Sequence, residues 1–237
     1  MTMTRGLGLG LVLGALLALT GCIKVDQTLT LNADGTGTLA LRYGMSEQTL
    51  AQLKAMEQMA AQAEEGLRVE QETPFEFDPE QVRAEFEADK PDGVELTALS
   101  SEVVDGWKYI DLTVAFDDIR ALKRTELFED SELGIERLNN GHYRITQRGG
   151  GDEEMPSDME GQALMQQMAT MLAGFRIVQT IVVPGDILDS NATAVDGRRA
   201  SWVFDIAEDP NVLTTLNQTD LTLTFAGNGV KLPPVSP

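Results

Sequence analysis

Four turn signals govern what this chain can fold into. Asp34-Gly35, Asp105-Gly106, Asn140-Gly141 and Asp196-Gly197 each lie between runs rich in β-formers. An Asp-Gly or Asn-Gly pair supplies the positive φ angles of a type I′ turn, whose twist matches that of two paired strands. Four hairpins imply about eight antiparallel strands. Glu102-Val103-Val104 before Asp105-Gly106 and Trp107-Lys108-Tyr109-Ile110-Asp111-Leu112-Thr113-Val114 after it show the logic. A two-residue loop sets Val104 opposite Trp107. Tyr109, Asp111 and Thr113 then share one face, and Ile110, Leu112 and Val114 the other, so one face is buried and one is wet. Further strands are expected at 175–183, ending at Pro184, which lacks a ladder donor, and at 221–225.

Helical signals sit between these strands. Ser46 reads as an N-cap, and Leu50, Leu53, Met56, Ala60 and Ala63 recur at helical spacing until Gly66. Asp78-Pro79-Glu80-Gln81 supplies a cap, a proline at the first helical position and a glutamine at the third, opening a helix to about Ala88. A short helix is expected over 118–125. A longer one is expected over 158–173, carrying Met159, Leu164, Met165, Met168 and Leu172. The glycine-rich, acidic stretch 149–157 reads as a mobile loop. Together these signals predict a single α+β domain: an antiparallel, hairpin-rich β-sheet with helices packed on one face.

Charge and inventory exclude several functions. Among 237 residues, 18 Lys+Arg stand against 38 Asp+Glu, a formal charge of −20. Nucleic acid needs a basic face, so no nucleic-acid partner is expected. One Cys and one His cannot form an internal disulfide or a Cys/His zinc site, and no cofactor is expected. The hydrophobic content of 42% is that of a folded chain rather than a disordered one.

The first residues set the address. Arg5 is followed by an apolar run over 6–19, the length of a signal-peptide core and too short to span a bilayer. The run ends Leu19-Thr20-Gly21-Cys22, which resembles the lipobox of bacterial lipoproteins, and the sole Cys of the chain stands at the lipidated position. The resemblance implies removal of 1–21, acylation of Cys22 and a mature chain of 237 − 21 = 216 residues. Its charge becomes −20 − 1 = −21 with the loss of Arg5. More than one acyl chain makes such an anchor firm. The domain reading is a signal peptide over 1–21, one domain over 22–228 and a flexible tail over 229–237. The residue after the Cys is Ile23 rather than Asp, a pattern that resembles outer-membrane lipoproteins where the cell is Gram-negative.

Each candidate for chemistry has a plainer reading. His142 directly follows Asn140-Gly141, and no G-x-S-x-G elbow offers it a serine, so it reads as a turn residue. Asn32-Ala33-Asp34-Gly35-Thr36-Gly37 resembles part of a calcium loop, but position 12 is Tyr43 instead of Glu, which favours a β-turn. The many carboxylates read as a solvated surface rather than a glycosidase pair. No enzyme activity is expected. The methionines say more. Beyond Met1 and Met3, all lie within 45–59 or 155–171, with Met165, Met168 and Met171 three apart on an expected helix. They can pack a core, line an apolar ligand groove, or, with thioethers alone, hold Cu(I). Met56, Met59, Met165, Met168 and Met171 are the candidate ligand-binding residues.

The stretch from Gly21-Cys22-Ile23-Lys24-Val25 through Asp34-Gly35-Thr36-Gly37 resembles the opening of LppM-like bacterial lipoproteins, where the lipidated Cys leads straight into a strand and an Asp-Gly turn. Val182-Val183-Pro184-Gly185-Asp186-Ile187-Leu188-Asp189-Ser190-Asn191, followed by Trp202, resembles a second shared region. The resemblance implies an α+β envelope domain that binds lipid or glycolipid, with no catalytic motif to carry over. Members often carry a C-terminal membrane helix, for which 221–237 is too short and too polar. The expected partners are a membrane, through the N-terminal lipid anchor, and a lipid or an envelope protein. The alternative is an envelope protein-interaction module with no small ligand.

Overall fold

The computed structural model describes residues 23–62, 76–125, 128, 133–148 and 174–236, with 56–62 as backbone only. These form a seven-stranded and a four-stranded sheet with helices, an α+β fold. The strands are β1 (Ile23–Leu31), β2 (Gly37–Ser46), β3 (Val94–Val104), β4 (Trp107–Phe116), β5 (Leu133–Arg137) and β6 (Tyr143–Gln147). They continue with β7 (Arg176–Val182), β8 (Ile187–Ser190), β9 (Ala194–Asp196), β10 (Arg199–Asp205) and β11 (Leu221–Phe225). The helices are α1 (Glu47–Gln62), α2 (Pro79–Asp89), α3 (Ile119–Leu122) and α4 (Val212–Gln218).

All four turn signals join paired strands. At Asp105-Gly106 both residues have positive φ, 51° and 75°, and Val104 pairs with Trp107 as the two-residue loop requires. Gly197 has φ 58° in the β9–β10 turn, where Asp196 pairs with Arg199. The Asp34-Gly35 and Asn140-Gly141 turns are longer, and each glycine again has positive φ. In β4, Ile110, Leu112, Val114 and Phe116 are buried while the residues between them are half-exposed.

The order of the large sheet is β3-β4-β2-β1-β7-β10-β9, and that of the small one β5-β6-β11-β8. Two points differ from a single antiparallel sheet. There are two sheets, and β1 and β7 run parallel, with Val25 beside Ile177 and Gln27 beside Gln179. Turn dipeptides report only neighbours in sequence, so a pairing between strands about 150 residues apart leaves no such mark. Buried side chains of both sheets, from Leu29, Leu39, Ile110 and Trp202 to Ile145, Leu223 and Phe225, belong to one core.

The helix starts follow their caps. The Thr49 amide donates to Ser46 Oγ at 3.1 Å, and the Glu80 amide to Asp78 Oδ1 at 2.9 Å. Gln81 does not complete a capping box. Its amide donates forward to Glu85 Oε1 at 3.1 Å. Asp118 caps α3 through the Arg120 amide at 2.8 Å. The stretch 149–157, the expected helix over 158–173 and the end of the first helix at Gly66 lie outside the described residues.

The C-terminal segment, read from sequence as a flexible tail, is packed. Val230, Leu232 and Val235 are buried. Ile135 and Val235 exchange backbone hydrogen bonds of 2.8 and 3.0 Å, and the Lys231 amide donates to Ala33 O at 2.7 Å. The Tyr143 hydroxyl donates to Val230 O at 3.2 Å. At Val235 the segment bridges the middle of β5, the outer strand of the small sheet, and takes up the amide and carbonyl of Ile135 that would otherwise be free on that edge. Val230 and Leu232 flank Lys231 as in a strand, and Pro233-Pro234 break that alternation before Val235.

Candidate functional site

The end of the large sheet where β1 begins combines an aromatic and charged outer face with a half-covered apolar inner face. Cross-strand register builds the outer face. Lys24 of β1, Gly44 of β2, Tyr109 of β4 and Glu102 of β3 lie in one row. Asp26, Arg42, Asp111 and Ser100 form the next. The Lys24 ammonium stands 3.9 Å from the Trp107 ring centroid, and the Arg42 guanidinium 4.1 Å from that of Tyr109. The Trp107 and Tyr109 rings stack at 6.3 Å and 22°. Arg42 also donates to Asp111 at 2.8 Å and to Glu102 at 2.6 Å, which ties three strands together. Arg176 bridges Asp26 and Asp205 at 3.4 Å each, extending the charged rows across β7 and β10. Exposed pairs of this kind contribute little singly. Here the two pairs of Arg42 keep its guanidinium over the Tyr109 ring.

The inner face at the same end is apolar and only partly covered. Ile23, Val25 and Ile177 are half-buried, and Leu50 and Leu53 of α1 pack against the same core. Tyr43 and Phe77 meet edge to face at 5.3 Å, and the Tyr43 hydroxyl donates to the Glu76 carbonyl. Burial, with the charges of Glu76 and Glu85 adding to it, raises the Tyr43 phenol far above its ordinary value. Beyond Val25 come Gln27 and Gln179, side by side on β1 and β7. Gln179 Oε1 is buried and has no hydrogen-bond partner. An orphaned buried carbonyl is costly, and such atoms are few in folded proteins. Next to it Trp202 is 2% exposed, and its indole N–H donates to Asn191 Oδ1 at 3.0 Å.

The other candidates resolve as follows. His142 closes the β5–β6 turn, its amide donating to Asn140 Oδ1 at 3.1 Å and its carbonyl accepting from Leu138 at 2.8 Å. In the 32–37 loop the polar groups satisfy one another. Asp34 Oδ1 accepts from the Thr36 hydroxyl at 2.9 Å and the Thr36 amide at 3.1 Å, and Asn32 Nδ2 donates to Thr36 Oγ1 at 2.9 Å. Those bonds from Thr36 hold the Asp34 carboxyl below its usual range. The Arg120 side chain does the same to Asp118. Both shifts run opposite to what a general acid needs. Among the described residues no group of three or more His, Cys, Asp or Glu side chains could hold a metal ion, and no helix is long and apolar enough to cross a membrane.

Met45 is in the core, paired with Ile23. The backbone at Met56 and Met59 is in α1, and their side chains lie outside the described residues. So do Met165, Met168, Met171 and Cys22. Sequence reasoning missed Lys24, Arg42 and Gln179. Alternation assigned Tyr109 to the wet face, but its cationic partner Arg42 is visible only once β2 and β4 are in register.

No family model matches the chain, and no curated protein matches it significantly. Among solved structures it is similar to the NMR structure of the folded domain of LppM from Mycobacterium tuberculosis. The identity is 11%, the match covers 90% of this chain and 95% of that one, and the TM-score is 0.43.

Proposed function

We propose that this chain is a non-enzymatic lipoprotein of a bacterial envelope. It is acylated at Cys22, held on the extracytoplasmic side of a membrane, and takes an apolar ligand into its α+β domain. In a Gram-negative cell that membrane is the outer one. The ligand reading is carried by one observation: a strip of half-buried apolar side chains, Ile23, Val25 and Ile177, that leads to the orphaned carbonyl of Gln179. A mostly apolar wall that ends at two neighbouring amides, Gln27 and the orphaned Gln179, suits a long hydrocarbon with one polar, hydrogen-bond-donating end. Met56, Met59, Met165, Met168 and Met171 are the proposed remaining lining, since thioethers adapt to irregular apolar shapes. Anchoring rests on the lipobox, together with a fold whose first strand starts one residue past Cys22.

Two mass measurements test this. Intact mass of the protein taken from its host membrane is expected to equal residues 22–237 plus acyl groups, and an unmodified Cys22 would refute the anchor. Native mass spectrometry of residues 23–237, purified without detergent, is expected to show a lipid adduct that Gln179→Leu weakens. A clean apo mass, with no lipid taken up on mixing, would refute the ligand.

A second reading, an interaction module without a small ligand, is favoured by a separate observation. Among the described residues β9 ends the large sheet, and Leu188 and Val195 on β8 and β9 are exposed at 54% and 49%. An open strand edge beside exposed apolar side chains suits strand addition by a partner. Recovery of no stoichiometric partner after crosslinking in the native membrane would count against it.

A further inference from the structure

The β3–β4 hairpin ends in an exposed apolar tip. Val103 and Val104 are 54% and 43% exposed, where side chains of this size ordinarily find cover. The tip is well held. Asp105 and Gly106 take the two positive φ values of the turn, and the Glu47 amide at the start of α1 donates to Gly106 O at 2.9 Å. Trp107 is the first residue after the turn, paired with Val104 on one side and Ser46 on the other.

The tip also lies beside the start of β1. Lys24 is in contact with the Trp107 ring at 3.9 Å. Cys22 is two residues before Lys24, so their Cα atoms are at most about 7–8 Å apart. With the lysine side chain spanning about 6 Å, acyl chains on Cys22 in the anchoring reading start within roughly 18 Å of the Trp107 ring, at the same end of the sheet. Tryptophan is suited to the membrane interface, with an apolar body and one donor, and the lysine beside it can reach lipid phosphates.

We infer that Val103, Val104 and Trp107 form a shallow membrane contact next to the lipidated cysteine. This gives the domain a second point of attachment and stands the strands of the large sheet upright on the bilayer. The inference rests on the anchoring reading above. One lipidated residue alone leaves a domain free to swivel. A second contact fixes which face looks outward, and it places the half-covered strip of Ile23, Val25 and Ile177 at the lipid surface. Asp105 at the apex keeps the contact shallow, since a carboxylate is expensive to bury.

The chain has two tryptophans, Trp107 and Trp202, and Trp202 is 2% exposed in the core. Quenching by brominated lipids therefore reads Trp107. The full lipidated protein is reconstituted into phosphatidylcholine vesicles with bromine high on the acyl chains, and vesicle sedimentation is followed in parallel. The expected result is loss of the Trp107 emission, absent in Trp107→Phe. Val103→Asp with Val104→Asp is expected to restore the emission while the protein still sediments with vesicles. Unquenched Trp107 in protein that sediments with vesicles would overturn the tip contact and leave the anchor intact. Quenching unchanged by the two aspartates would also overturn it, because proximity to the anchor alone would then explain the signal. Unquenched protein that also stays in the supernatant, with no acyl mass on Cys22, would overturn both readings. A shift from dimer to monomer on the aspartate substitutions, without quenching in the parent, would reassign the tip as a contact between copies of the chain.

Discussion

The ring of Tyr109 fills the space above Gly44: a Cβ built on Gly44 would lie 2.3 Å from Tyr109 Cδ1 and 2.4 Å from Cε1. The glycine is needed for room, not for a left-handed backbone. It lets the ring lie flat across β2, stacked on Trp107 and under the Arg42 guanidinium.

Gly44→Ala is expected to destabilise the domain by about 1–3 kcal/mol, the usual cost of overpacking. Tyr109→Ala should remove most of that cost, so the two substitutions will not add. Urea melts of both single variants and the double one check this. An equal cost of Gly44→Ala with and without the ring would show that the ring is not what excludes the methyl.

Asn191 joins the two sheets. Its Oδ1 accepts from Trp202 Nε1 at 3.0 Å and from the Thr222 amide at 2.9 Å, while its Nδ2 donates to Asp220 O at 2.6 Å. Asn191→Ala leaves the buried indole N–H without a partner, a loss of about 1–3 kcal/mol. Chemical denaturation gives the size of the effect. A neutral result would mean that water replaces the amide.

Removal of residues 230–237 should cost several kcal/mol, because burying each of Val230, Leu232 and Val235 contributes up to about 1.5–3 kcal/mol. It should also raise the tendency to aggregate, since Ile135 on the outer edge of β5 loses its backbone partner. Thermal melts and light scattering of the truncated chain are the measurements. An unchanged melting temperature would restore the reading of this segment as a loose tail.

Tyr43 sets a limit at high pH. Its phenol pKa is raised in the folded state above the ordinary 10.0, first by burial. The stability this contributes is full below about pH 10 and declines above it, where the unfolded chain releases a proton that the folded chain keeps. Tyr43→Phe should flatten that decline while adding a constant penalty at neutral pH for the lost bond to Glu76 O. Denaturant midpoints from pH 8 to 11, on both proteins, are the test. Parallel curves would rule Tyr43 out as the source.

Residues 23–236 show which features were legible in sequence. The Asp105-Gly106 turn, the caps at Ser46, Asp78 and Asp118, and the alternation of β4 depend on residues within a few positions of one another. Local stereochemistry and hydrophobic period write these directly into the sequence. The resemblance of Leu19-Thr20-Gly21-Cys22 to a lipobox is local in the same way. What only the tertiary structure decided is the set of long-range pairings: β1 beside β7 in parallel, two sheets sharing one core, Val235 against Ile135, and Asn191 between Trp202 and Thr222. Lys24, Arg42, Trp107 and Tyr109 are unremarkable as letters. They become one surface only when strand register brings them within 4–7 Å, and register is set by the burial of a whole face at once rather than by any short stretch of chain.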